Sequence, residues 1–167
     1  MPEFDPVAVL RVLVEGDVDF VVIGGIAARL RGAPLLTQDV DITPASDSHN
    51  LERLASTLEE LQARLRTASE PEGAAFPFDP ALLEAKRVWT LVTRFGDLDL
   101  VIAPAGTNGY ADLVRDAADL RVATDPELIV KVASLVDVIR SKEAAGREKD
   151  RAALPMLRRT LEESSKD

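Results

Sequence analysis

The chain has 167 residues, 46% of them apolar, a net charge of −9 and no cysteine. That length suits one compact domain with a sizeable core, and with only 4% aromatic residues the core is aliphatic. The absence of Cys and the presence of a single His (His49) exclude disulfide frameworks and thiolate or imidazole metal centres, leaving oxygen ligands. The acidic balance argues against broad nucleic-acid binding. The N-terminal MPEFDPVAVL lacks a basic region followed by a long apolar core, and no apolar run approaches bilayer-spanning length. A cytoplasmic location without membrane contact is the expectation.

In chain order, apolar residues at Val7, Leu10, Leu13 and Val14 predict a helix over Pro6–Glu15, capped by Asp5 and stopped at Gly16. Phe20–Ile23 is short, apolar and β-branched, as a buried strand is. Gly24 and Gly25 follow, then a short helical segment around Ile26–Leu30, a break at Gly32–Pro34, and a second strand carrying Asp39 and Asp41, ended by Thr43–Pro44. Leu51, Leu54, Leu58, Leu61 and Leu65 mark one amphipathic helix with Ser48 as its cap. Residues 68–80 hold three prolines and a glycine and form a loop, either a cover for the site or a plain surface excursion.

Val88–Thr93 and Asp97–Ile102 read as a β-hairpin around Phe95–Gly96. A short helix over Tyr110–Ala118, a strand at Leu120–Ala123 and an apolar β-branched run at Ile129–Ala133 come next. Ser134 caps a helix over Leu135–Ala145, ended by Gly146. A last helix, Arg147–Ser164, contains Pro155, which is expected to bend or break it, and leads into a polar tail at Glu162–Asp167.

The stretch from Phe20 to Ile42 carries the chemistry. Residues two apart in a strand share a face, so Asp39 and Asp41 emerge side by side. Adjacent carboxylates call for a counter-ion, and a hard divalent cation such as magnesium takes carboxylate oxygens, water and phosphate. Gly24 and Gly25 lack Cβ and let backbone N–H groups approach a polyphosphate at the start of a helix. Together these are the parts of nucleotidyl transfer.

Gly24-Gly25, thirteen intervening residues, then Asp39-Val40-Asp41-Ile42 resembles the signature of the DNA polymerase β-type nucleotidyltransferase superfamily. Within it the chain is most similar to small bacterial members such as the AbiEii-like and MenT-like toxins of toxin–antitoxin systems. The resemblance implies an α+β fold, a mixed β-sheet with helices packed on it. The core would span residues 18–133 and the C-terminal helical segment residues 134–164, in a single domain over 1–167. It implies a third carboxylate on a later strand and favours Asp99, although Asp97 shares its face. It implies that Thr37 buttresses the carboxylates and that Lys142, with help from Arg147 and Lys149, neutralises triphosphate charge, Asp150 orienting one of them. Residues 131–159 are basic within an acidic chain, which suits a phosphate-rich partner.

Two departures accompany the resemblance. Gly25 stands where many members have Ser, and Leu35 and Leu36 stand where related chains place an Arg. Two readings follow. The first is an enzyme that uses Mg2+ (or Mn2+), with metal ligands Asp39, Asp41 and Asp99 and an NTP held by Gly24, Gly25, Thr37, Lys142 and Arg147. Its acceptor hydroxyl would be a tRNA 3′ end or a protein side chain. The second is a nucleotide- or partner-binding module of the same fold, such as half of a toxin–antitoxin pair, without turnover.

Overall fold

The structure is a computed structural model that describes residues 2–166. The helix α1 (Pro6–Glu15) forms as its periodicity predicts: the Asp5 carboxylate accepts the Ala8 N–H at 3.0 Å, and Val9, Leu10, Val12 and Leu13 are buried. The strand β1 (Phe20–Ile23) is buried on both faces and runs directly into α2 (Gly24–Leu30), so the glycine pair is the first turn of that helix rather than a linker before it. The strand β2 (Asp39–Pro44) returns antiparallel to β1, with Ile23 opposite Asp41.

Asn50 holds this central pair of strands to the next helix. Its Nδ2 donates to Asp19 O at 2.9 Å and Ala45 O at 2.7 Å, and its Oδ1 accepts from Asp19 N at 2.7 Å. The side chain has no exposed surface, and these bonds meet the requirement that a buried amide be satisfied. That helix, α3 (Ser48–Glu60), is shorter than its leucine stripe predicts. Asp47, not Ser48, caps it, accepting the Asn50 N–H at 3.0 Å; a carboxylate here also meets the positive end of the helix dipole. Gln62, at φ 53°, turns the chain out of the helix, and Leu65 belongs instead to the strand β3 (Arg64–Leu65).

Residues 68–80 fold back along β3 through a bridge from Leu65 to Ala74. Phe76 and Phe78 then stack with Trp89, ring centroids 5.5–6.2 Å apart. The single turn α4 (Pro80–Leu83) follows, and Leu83 O accepts the Trp89 indole N–H at 3.1 Å. The strands β4 (Val88–Thr93) and β5 (Gly96–Val101) form the expected hairpin, in which Gly96 has φ +109° with the ring of Phe4 against it. The expected helix at Tyr110–Ala118 shrinks to α5 (Tyr110–Leu113), because Ala118 already begins β6 (Ala118–Thr124), hairpinned to β7 (Glu127–Val132).

The strand β7 joins β1 in parallel and leads into α6 (Leu135–Ala145), whose cap Ser134 accepts the Asp137 N–H at 3.1 Å. Gly146, at φ +61°, closes α6 in the left-handed conformation, and α7 (Glu148–Ser164) runs on through Pro155 without a break. Leu154 and Leu157, buried on either side of that proline, hold both halves of α7 against the core. Of the polar tail, α7 takes in residues as far as Ser164, and Asp167 lies outside the described residues.

Among the described residues the strands make one seven-stranded mixed sheet in the order β3-β4-β5-β2-β1-β7-β6. Val40, Ile42, Leu98 and Leu100 point to one face and are buried without remainder, while Asp39, Asp41, Asp97 and Asp99 alternate with them and point to the other. The helix α1 lies across β2, β5 and β7 and against α3, whereas α6 packs on α2 and α7. Arg31 ties the end of α2 to the base of α6, donating from Nε to Ala133 O at 3.1 Å and from Nη2 to Val132 O at 2.9 Å. No described helix is long and apolar enough to cross a membrane.

Candidate active site

Parallel pairing of β2 and β5 sets Asp39 opposite Asp97 and Asp41 opposite Asp99. From this register Asp39, Asp41 and Asp99 bring carboxylate oxygens within 4.8 Å of one another. They lie in a cleft of about 650 Å³, between the ends of β1, β2 and β5 on one side and α6 and α7 on the other. Gly24, Gly25, Thr37, Lys142, Arg147 and Lys149 also line it, so the residues singled out from the sequence meet in one place.

The three carboxylates strain one another electrostatically. Asp41 is pushed up to about 8, by burial first and then by the charges of Asp39 and Asp99, with Lys142 working in the opposite direction. Asp99 is raised to about 6, again by burial first and then by Asp39, while its hydrogen bond with Asp41 and the charge of Arg66 pull it down. Without a cation, Asp41 and Asp99 share a proton, as closely spaced like charges do.

The glycine pair is fitted to these side chains. Gly24 adopts φ +66°, and a Cβ placed on it would lie 2.1 Å from Asp41 Oδ2. A Cβ on Gly25 would stand 2.8 Å from Thr37 Cβ and 2.9 Å from its Oγ1. Thr37 thus fills the space that a serine at position 25 would need, which gives the departure at Gly25 a steric reason. The Thr37 hydroxyl donates to Asp39 Oδ1 at 2.9 Å from the loop just before β2.

The cations are organised by Asp150, which is wholly buried at the first turn of α7. Its Oδ2 accepts from Arg147 Nε at 2.7 Å and from the Arg147 backbone N–H at 3.2 Å, and its Oδ1 lies 3.5 Å from Lys142 Nζ. Burial opposes ionisation of Asp150, but the hydrogen bonds and charge of Arg147, followed by Lys142, hold its carboxyl below the usual range. Arg147 is raised by its bond to Asp150 and, more weakly, by the charges of Asp41 and Asp99, which places it within electrostatic reach of the triad.

Asp97 is engaged elsewhere. Both of its oxygens accept from Arg66, at 2.8 and 2.9 Å, and it stands outside the group that Asp39, Asp41 and Asp99 form. Arg66 carried no signal in the sequence, because its meeting with Asp97 depends on the β3–β4 pairing. Part of the basic character of residues 131–159 is spent away from the cleft: Lys131 pairs with Asp119, Arg140 with Asp112 and Asp137, and Arg158 with Glu143. Among the described residues, none of 68–80 lines the cleft. The far wall is apolar, with Leu35, Leu36, Val88, Val101 and Pro104, and Arg87 beside them donates to Ala103 O at 3.1 Å.

Two outcomes follow. Gly24→Ala forces Asp41 aside, so Mn2+ binding measured by calorimetry should weaken by at least about tenfold, as expected when a ligand is displaced, while the far-ultraviolet circular dichroism stays unchanged. Unaltered affinity would mean that Asp41 has room to move. The second concerns pH. Asp41 keeps its proton to about 8 when folded against an ordinary 3.8. Between those values the folded state binds more protons than the unfolded one, so metal-free stability falls as pH rises through that window, Asp99 contributing up to about 6. Thermal melts in chelator from pH 5 to 8 should show the decline, Asp41→Asn should flatten it, and equal slopes for the two proteins would refute the assignment.

No protein-family model and no curated protein matches the chain. Among solved structures, the lincomycin-bound lincosamide antibiotic adenylyltransferase LnuA superposes with a TM-score of 0.59 at 13% identity, covering 93% of this chain and 98% of its own. The solution structure of the antibiotic-resistance factor ANT(2'')-Ia gives a TM-score of 0.54 at 16% identity, covering 92% of this chain and 80% of its own. The first of these neighbours is an adenylyltransferase and the second an antibiotic-resistance factor. At such identities the likeness speaks to the fold alone, and the fold of this chain is the mixed α+β nucleotidyltransferase fold expected from its sequence.

Proposed function

We propose that this protein is a divalent-metal-dependent nucleotidyltransferase that moves a nucleoside monophosphate from an NTP to an acceptor hydroxyl. The observation that carries the reading is the convergence of Asp39, Asp41 and Asp99 within 4.8 Å, beside a glycine turn and two cations. The donor set fits Mg2+ or Mn2+: it consists of carboxylate oxygens only, and the protons retained by Asp41 and Asp99 mark where positive charge is wanted. A cation bound there supplies Lewis-acid stabilisation of phosphoryl oxygens.

The residues divide the remaining work. Asp39, Asp41 and Asp99 hold the metal, with Thr37 fixing the Asp39 carboxylate. Free N–H groups of the first α2 turn, at Gly24 and Gly25, face the triphosphate, and Lys142 and Arg147 balance its charge from the platform that Asp150 provides. Asp99 takes the proton of the acceptor hydroxyl as its oxygen attacks the α-phosphorus. The bond from that phosphorus to the β-phosphate oxygen breaks, and pyrophosphate leaves.

Because Lys131, Arg140 and Arg158 are paired within the protein, an acceptor met end-on suits the cleft, namely a tRNA 3′ end or a protein hydroxyl. Either acceptor is compatible with the AbiEii- or MenT-like role in a toxin–antitoxin pair, in the cytoplasm, that the sequence resemblance implies. A second reading, a small amphipathic acceptor, draws on the apolar wall, where Leu36 is 91% and Val88 41% exposed. It draws also on the neighbour solved with lincomycin.

Incubation with each labelled NTP, Mg2+ and, separately, total tRNA, lysate protein and small hydroxyl compounds tests this reading. Label should reach one acceptor class and fall by about 10²–10⁴-fold in Asp99→Asn, the usual cost of losing a general base. NTP binding without transfer to any acceptor would favour the binding module.

A further inference from the structure

Four carboxylates stand on one face of β2 and β5 as a two-by-two array, with Asp39 opposite Asp97 and Asp41 opposite Asp99. Only three of them gather among the described residues: Asp39, Asp41 and Asp99. Asp97 is the missing corner, and the reason is Arg66. Its Nη1 donates to Asp97 Oδ2 at 2.9 Å and its Nη2 to Oδ1 at 2.8 Å, a two-point grip that fixes the carboxylate in plane. Arg66 is held in turn, by its Nε donating to Pro71 O at 3.0 Å and its backbone N–H to Thr90 O at 2.9 Å. Neither side chain is more than 29% exposed, so water competes weakly for the pair.

The geometry points to Arg66 as a positioning residue for the metal centre, withholding Asp97 from the cation and so limiting the carboxylate ligands to three. The inference rests on the metal-dependent reading above and extends it to a residue outside the cleft lining. Its consequence is chemical. Mg2+ takes six oxygens in near-octahedral geometry. A fourth carboxylate would occupy a position that a phosphate or acceptor oxygen needs, and would hold the cation more tightly in the resting enzyme. A purely structural pair, tying the 67–73 turn to β5, would shift affinity only through its charge and leave the number of waters on bound Mn2+ unchanged, whereas entry of Asp97 would displace one.

Mn2+ binding to the nucleotide-free protein, followed by electron paramagnetic resonance of the free ion, with the waters on the bound ion counted by proton relaxation, separates these roles. Arg66→Met keeps most of the aliphatic stem and frees Asp97, so affinity should rise by about tenfold for one added negative charge a few ångströms away. Asp97→Asn frees the guanidinium beside the cluster, so affinity should fall by about threefold or more. The double variant should return to within about twofold of the parent, because neither charge then remains. Unchanged affinity in both single variants overturns the inference, as does tightening that persists in the double variant or an unchanged water count in Arg66→Met. If Arg66→Met fails to fold by circular dichroism, Asp97→Asn decides by its opposite sign. A parent protein that binds no Mn2+ defeats the metal reading and this inference with it, whereas binding that ignores both substitutions defeats the role of Arg66 alone.

Discussion

Carboxylates crowded within 4.8 Å in a half-buried cleft repel one another, and much of the surrounding chemistry answers that repulsion. The crowding has a structural origin in the parallel register of β2 and β5, which leaves these side chains no other face to occupy. Leu98 and Leu100 anchor the opposite face of β5, and a one-residue slip would drive Asp97 and Asp99 into the core and those leucines into the cleft. At roughly 1.5–3 kcal/mol for each buried leucine, together with the cost of burying two carboxylates, the register has a strong hydrophobic guarantee. The apolar core therefore holds the charged site together against its own repulsion.

The rest of the cleft is built around the same charge. Gly24 gives way to Asp41, Thr37 pins Asp39, and Arg66 removes Asp97 from the gathering. Lys142 and Arg147 are brought close by Asp150, whose own burial is tolerable because both cations and a backbone N–H satisfy it. The supports of this array come from distant parts of the chain: Arg31 from α2 grips the end of β7, and Asn50 from α3 clasps both sides of the β1–β2 pair.

How much of this was legible in the sequence depended on distance along the chain. The β1–α2–β2 unit was readable because its signals are contiguous: an apolar run, two glycines and alternating carboxylates. Caps that act over three residues, at Asp5 and Ser134, placed α1 and α6 correctly. The end of α3 was misread because Leu61 and Leu65 keep helical spacing although the chain has left the helix at Gln62; burial of Leu61 against the core reproduces the stripe without the helix. Alternation puts Asp97 and Asp99 on one face, so the preference for Asp99 came from the resemblance alone; the pairing that holds Asp97 apart had no local signal, because only the two-residue β3 brings Arg66 to it. Asp150 was visible as a charge near Arg147, but its burial, which makes it an anchor, is a tertiary fact. Charge counts along residues 131–159 do not show which cations are already paired, as Lys131, Arg140 and Arg158 are, and which line the cleft, as Lys142, Arg147 and Lys149 do.

The proposed cation site is made of Asp39, Asp41 and Asp99. Crystals grown with Mn2+ and a non-hydrolysable NTP analogue, measured at the manganese absorption edge, test it directly. An anomalous peak is expected within bonding distance of oxygens from all three carboxylates, with the phosphates directed toward Gly24 and Gly25. Anomalous density elsewhere, with the triad intact and free of metal at saturating Mn2+, would contradict it.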